Sequence, residues 1–193
     1  MKHSDAGYQC YADLAKAQAE GTDFRVNVRS SPDSSVAILA PHGGAIEFGT
    51  SEIALAVAGK EFNLYLFEGL RQSANYAALH LTSHRFDEPR CLALLSSCEH
   101  VVAIHGCSGE TPQALVGGLD EKLKTQIAEA IGTVGVEARS VGHQFPAIDP
   151  KNICNRGRRG VGVQIELTSA FRLQGPNNLN SIVTAIRSVL LAL

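Results

Sequence analysis

Three short apolar runs constrain this chain more than any other feature: Val36–Ala40, Phe62–Phe67 and Val101–Ile104. They are too short for buried helices, and they lack the strict polar alternation of a strand that faces water on one side. Strands apolar on both faces need cover on both, as central strands of a parallel sheet have. Helical signals fall between them. Thr50 reads as the cap of a helix through Ala58 with Gly59 at its end, and Pro89 as the first residue of a helix to Cys98. Asp120 caps a helix in which Leu123, Ile127, Ala130 and Ile131 share a face, and Leu179, Ile182, Val183, Ile186, Val189, Leu190 and Leu193 form the apolar stripe of a last helix. A first helix over Tyr8–Ala19 stops at Gly21, and further strands are predicted over Asp23–Arg29, Val136–Val141 and the alternating Val161–Leu167. Glu68–Asp87 reads as a long irregular connection. This order predicts a single α/β domain over residues 1–193, built on a mixed, mostly parallel twisted sheet flanked by helices.

The chemistry collects where the buried runs end. Val36–Ala40 stops at Pro41 and leads into His42-Gly43-Gly44-Ala45-Ile46-Glu47; Val101–Ile104 leads into His105-Gly106; Glu166 lies near the end of Val161–Leu167. Sites in open α/β sheets form beyond the carboxyl ends of strands, so neighbouring strands would bring these clusters into one crevice. Two imidazoles and a carboxylate with an open fourth position make a catalytic zinc shell, and His42, Glu47 and His105 supply them; the same donors suit manganese, iron or cobalt. Gly43-Gly44 gives the loop freedom to bring His42 and Glu47 together. A carboxylate within a covered sheet is costly unless paired or functional. Glu166 is therefore read as the general base beside the metal, or as the partner of Arg156, Arg158 or Arg159 in a structural ion pair.

Other features exclude more than they assign. A net charge of −2 gives no electrostatic case for nucleic acid or an anionic membrane. The longest apolar stretch, Val189–Leu193, is far short of a membrane span, and Met1–Asp5 begins no signal-peptide pattern, so a cytoplasmic protein is expected, with release by lysis open. Five cysteines without a CxxC pair read as reduced thiols, Cys107 being the one nearest the candidate site. Asp87 and Glu88 before Pro89 read as helix caps, His80 as a strand-face or turn residue, His143 as a candidate substrate contact, and His3 and His100 as structural or exposed.

At these residues the chain resembles the phage-type poly-γ-glutamate hydrolase family. The resemblance rests on seven segments in family order: Pro41–Glu47, Tyr65–Leu70, Leu79–Pro89, Ala103–Gly106, Leu115–Leu119, Asn152–Arg156 and Gly160–Ala170. It implies a zinc-carboxypeptidase-like fold, Zn²⁺ on His42, Glu47 and His105, and Glu166 as the base. The implied reaction is hydrolysis of the amide between a glutamate γ-carboxyl and the next amino group. Each unit of that polymer carries a carboxylate, so cationic subsites are expected. Asn155-Arg156 resembles the Asn-Arg pair of carboxypeptidases, and Arg156, Asn155, Arg172 and His84 are the candidate substrate contacts. One departure stands out: zinc carboxypeptidases have His-x-x-Glu, whereas four residues separate His42 from Glu47. Two other functions fit the same residues: a zinc peptidase or amidohydrolase acting on another peptide or acylamino acid, and a non-catalytic metal-containing binding domain.

Overall fold

The computed structural model describes residues 7–173 and 176–193, with backbone alone over 176–178; the expectations for Met1–Asp5 and His3 lie outside the described residues. The strands are β1 (Phe24–Arg29), β2 (Val36–Gly44), β3 (Asn63–Gly69), β4 (His100–Cys107), β5 (Gln113–Gly117), β6 (Glu137–Arg139) and β7 (Val163–Thr168). The helices are α1 (Tyr11–Ala17), α2 (Thr50–Ala58), α3 (Asn75–Leu79), α4 (Pro89–Leu95), α5 (Glu121–Thr133), α6 (Ser169–Arg172) and α7 (Pro176–Leu190), with a 3₁₀ turn at Ile153–Asn155. All seven strands form one sheet in the order β1-β3-β2-β4-β7-β5-β6. β3, β2, β4 and β7 are mutually parallel, β5 and β6 pair parallel, and antiparallel pairings join β1 to β3 and β5 to β7. The expected mixed, mostly parallel sheet is the one observed. No helix among the described residues is long and apolar enough to cross a membrane.

Two cores cover the sheet, as the fully apolar runs require. On one face Ile53, Val57, Ile127, Ile131, Phe171, Ile182 and Ile186 from α2, α5, α6 and α7 pack on Ile38, Ala40, Val102, Ile104, Val163 and Ile165. On the other, Leu14, Leu79, Phe86, Cys91, Leu95 and Ile153 pack on Ala37, Leu39, Tyr65, Phe67, Val101 and Ala103. The chain leaves β2 through α2 to β3 on one side, then crosses back through α4 to β4 on the other. Consecutive crossovers that diverge from one strand open a crevice at the carboxyl ends, here between β2 and β4.

The apolar run of β2 does not stop at Pro41. The strand continues to Gly44, and its register against β3 shifts by one residue: Ala40 pairs with Leu66, but Gly43 pairs with Glu68. That extra residue is a bulge, and it changes which face His42 serves. Strict alternation from Ile38 and Ala40 would point His42 toward α2. With the bulge, Gly43 takes that side, where a Cβ would come within 2.2 Å of Ser51 Oγ, and His42 turns to the opposite face beside Phe86.

Other boundaries differ for local reasons. Thr50 is the first residue of α2 rather than its cap; the cap is Gly49 at φ 90°, and the Thr50 hydroxyl donates to the Glu47 carbonyl. Asp120 does cap α5, accepting from Leu123 N, and Glu88 caps α4, accepting from Cys91 N, while Asp87 accepts from Tyr11 N at the start of α1. α4 ends at Leu95, short of Cys98. β6 is limited to Glu137–Arg139, and β5 and α3 emerge from segments that carry no clear periodicity. Leu193 is exposed rather than part of the α7 stripe. All five cysteines are free thiols.

Candidate metal centre and active site

β2, β4 and β7 are consecutive in the sheet, so the three strand-end clusters do meet. His105 on β4 and Glu166 on β7 are direct register partners and share a face, the one onto which the bulge turns His42. Glu47 follows in a tight turn closed by its own N–H to the His42 carbonyl at 2.9 Å, and Gly106 N donates to its Oε2 at 2.8 Å. His42, Glu47, His105 and Glu166 are all at least nine-tenths buried.

The donor geometry fits a tetrahedral divalent cation. His42 Nε2 lies 2.8 Å from the Leu81 carbonyl, which can only accept, so Nε2 carries the hydrogen and Nδ1 presents its lone pair to the cluster. That Nδ1 is 3.1 Å from Glu47 Oε1 and 3.1 Å from His105 Nδ1, and His105 Nδ1 is 3.5 Å from Glu47 Oε2. Ligand atoms about 2.0–2.1 Å from a tetrahedral zinc stand roughly 3.3–3.4 Å apart, close to these separations. Lone pairs converging this closely repel unless a proton or cation lies among them. His80 joins the group: donor atoms of His42, Glu47 and His80 all lie within 4.8 Å of one another, with His80 Nε2 3.6 Å from Glu47 Oε1. The His80 ring sits between His42 and Tyr76, with centroids 4.1 and 4.2 Å away. Burial pushes the Glu47 carboxyl up, but its contacts with the imidazoles of His42, His105 and His80 outweigh that and hold the group well below the usual carboxylate range. An anion facing three imidazoles is the charge state a divalent cation needs.

Glu166 is in the opposite condition. Burial raises its carboxyl well above the ordinary range, the Glu47 charge adds to the rise, and Arg172 opposes it. Among the described residues it has no ion pair with the arginines of the nearby loop: Arg158 pairs with Glu99 and Arg159 with Asp120. Its Oε1 instead accepts from Gln164 Nε2 at 3.0 Å.

These groups open into a cavity of about 1070 Å³. Its wall includes Ser83, Ser108, Gln144, Asn152, Gln164 and Ser169, with Phe48, Tyr76, Phe145 and Leu173 among its apolar members. Arg172 is the single arginine or lysine among the described lining residues. Its guanidinium lies over Gly106, where a Cβ would come within 2.5 Å of Cζ. It donates to the carbonyls of Leu167 (3.0 Å), Cys107 (3.2 Å) and Phe48. Of five N–H groups, at most two remain for anything else.

The structure places three of the four expected substrate contacts, Asn155, Arg156 and His84, outside the cavity lining. Asn155 does not face the cavity: its Nδ2 donates to the Ala147 and Asp149 carbonyls and its Oδ1 accepts from Leu119 N and Gly162 N, which pins a loop. Arg156 is exposed and outside the lining, as is His84, which sits in a turn. His143 contacts the Val116 carbonyl, also outside the lining. Cys107 does line the cavity. Sequence reasoning missed His80, Gln164 and Asn152. Gln164 had a legible signal, since it stands two residues from Glu166 on an alternating strand and so shares its face; Tyr76 on α3 and His80 at its C-terminal cap, four apart, had a fainter one.

Comparisons with known proteins show related chains. A family model described as poly-gamma-glutamate hydrolase matches residues 8–182. The UPF0714 protein YndL of Bacillus subtilis (strain 168) is 38% identical over 167 residues, which cover 86% of this chain and 65% of YndL. The chain thus spans just under two thirds of the length of that relative. The structure of YndL in its zinc-free apo form superposes with a TM-score of 0.87 at 32% identity, over 97% of this chain and 98% of that one. A bacteriophage poly-gamma-glutamate hydrolase gives a TM-score of 0.90 at 33% identity, over 96% of both chains. At the level of fold alone, a metallopeptidase-like protein of Shewanella baltica OS155 gives 0.51 at 12% identity, over 93% of this chain and 84% of that one.

Proposed function

This chain belongs to the poly-gamma-glutamate hydrolase family, and we propose on that premise that it is a zinc-dependent hydrolase of γ-glutamyl amide bonds in poly-γ-glutamate. The observation that carries the reading is the convergence of His42 Nδ1, His105 Nδ1 and Glu47 at 3.1–3.5 Å beside the buried Glu166. His42, Glu47 and His105 are the proposed ligands, and His80 stands where it can complete the shell or orient Glu47. YndL, whose apo form is called zinc-free, supports zinc as the metal. A bound zinc ion would supply Lewis acidity at the scissile carbonyl and lower the pKa of water toward 7.

The protein's own groups would do the rest. Glu166 takes a proton from the attacking water and delivers it to the leaving amine; a carboxyl raised by burial is suited to accepting protons near neutrality. Ser83, Ser108, Gln144 and Ser169 offer neutral hydrogen bonds to the carboxylates of the polymer, and the remaining N–H groups of Arg172 offer the one cationic contact. Recognition would then depend on shape and on neutral donors more than on a field of positive charge. The substrate is an anionic polymer or peptide, with no nucleic acid or membrane partner proposed.

Turnover of poly-γ-glutamate against α-linked polyglutamate of equal length tests the assignment. Cleavage of the γ-linked polymer alone, or at least tenfold faster, is expected (each tenfold is about 1.4 kcal/mol of discrimination). Cleavage confined to the α-linked chain would transfer the site to ordinary peptides.

A further inference from the structure

Behind Glu166 runs a line of two buried amides. Asn152 stands before the 3₁₀ turn, where its Oδ1 accepts the backbone N–H of Cys154 at 3.1 Å. Its Nδ2 donates to Gln164 Oε1 at 3.0 Å, and Gln164 Nε2 donates to Glu166 Oε1 at 3.0 Å. The three residues are 7%, 5% and 6% exposed.

The polarity of this line is fixed at one end. A backbone N–H can only donate, so the Asn152 oxygen must face Cys154 and its NH₂ must face Gln164. That NH₂ in turn requires the Gln164 oxygen, which leaves the Gln164 NH₂ to face Glu166. Reversing either amide would set donor against donor or acceptor against acceptor in a buried place, a costly arrangement. Oε1 of Glu166 is therefore held as an acceptor, and a proton on it would confront another N–H.

We propose that Asn152 and Gln164 are positioning residues that reserve Oε2 of Glu166 as the oxygen that takes and returns the proton. The inference rests on the reading of Glu166 as general base. In the reaction, Oε2 takes one proton from water as the water oxygen bonds to the carbonyl carbon. It gives that proton to the amide nitrogen as the C–N bond breaks. One water is added across the bond, with no redox change. Neither amide touches the reacting atoms; each acts through Glu166.

Asn152→Asp tests the polarity directly. Aspartate keeps the acceptor for Cys154 N–H, and so the cap, but cannot donate to Gln164. Gln164 then turns its NH₂ toward the introduced carboxylate and its oxygen toward Glu166, which draws the proton to Oε1. The expected result is a folded protein with full zinc content, with kcat lower by about 100-fold and KM unchanged. Gln164→Met keeps the side-chain length and removes the hydrogen bond to Glu166 without altering the cap; it should lower kcat by about tenfold or more, again at constant KM. If Asn152→Asp fails to fold, Gln164→Met decides. A loss smaller than about tenfold in either folded, zinc-loaded variant overturns the proposal, as does a rise in KM in place of a fall in kcat, which would make these residues substrate contacts. Glu166→Gln assayed alongside separates the two levels. If it is inactive while the amide variants turn over at the unsubstituted rate, positioning alone is wrong; if it is active, the assignment of the base is wrong as well.

Discussion

His42 has two ring nitrogens with opposite duties. Nε2 is held at 2.8 Å by the Leu81 carbonyl, and this leaves Nδ1 as the lone pair that faces Glu47 and His105. Substituting the ring removes a donor and the group that orients it. His42→Ala and His105→Ala should each purify with well below one zinc per chain by elemental analysis; stoichiometric zinc in either variant would remove that residue from the shell. At this scale the sequence was informative wherever a titratable residue followed a buried run, as with His42, His105 and Glu166. It did not show where Asn155 and Arg156 stand. There a family-like dipeptide sits in a loop whose amide is needed to satisfy four backbone groups. Partners in irregular segments, from six to 36 residues away, leave no periodic signature.

The bulge in β2 is the element that makes the site. Periodicity locates a strand from Val36 but cannot show where one residue is added, and the added residue decides which face receives His42. Just past the bulge, Gly44 ends the strand in close contact with β3: its φ is +61°, and a Cβ there would come within 2.7 Å of the Gly69 carbonyl. Gly44→Ala should therefore cost about 1–3 kcal/mol in urea unfolding, from the left-handed backbone and the close approach together. A neutral result would show that the two strand ends have room to part. α6 contributes a second device. Arg172 ties the carbonyl of Phe48, next to Glu47, to those of Leu167 and Cys107 at the ends of β7 and β4. Arg172→Met leaves those carbonyls without their donor and should destabilise the protein by about 1–3 kcal/mol. Zinc affinity should fall as well, measured by competition with a chelator; unchanged affinity would reduce the arginine to a surface strap. β5 and β6 escaped full recognition for a related reason: β5 is held by register with β7 across the sheet, not by a pattern of its own.

The whole molecule places a compact cluster of candidate ligands at the crevice between two diverging crossovers, on a sheet covered on both faces. The fold class was legible because both covers leave a strong apolar imprint; the cavity was not, because it is assembled from several loops and strand ends far apart in the chain. A metal that binds only the folded cluster stabilises the fold by linkage, about 4 kcal/mol when free zinc exceeds its dissociation constant a thousandfold. For a chain of this size that is a rise of roughly 8–16 °C in the melting temperature, readable by calorimetry before and after chelation. Equal melting temperatures would place zinc outside the folded cluster. The most direct test of the proposed function is the size distribution of poly-γ-glutamate after incubation with the protein as zinc-loaded, chelated and zinc-restored samples. The polymer should shorten with the first, stay intact with the second and shorten again with the third; equal shortening by the chelated protein, or an intact polymer in all three, would contradict a zinc-dependent γ-glutamyl hydrolase.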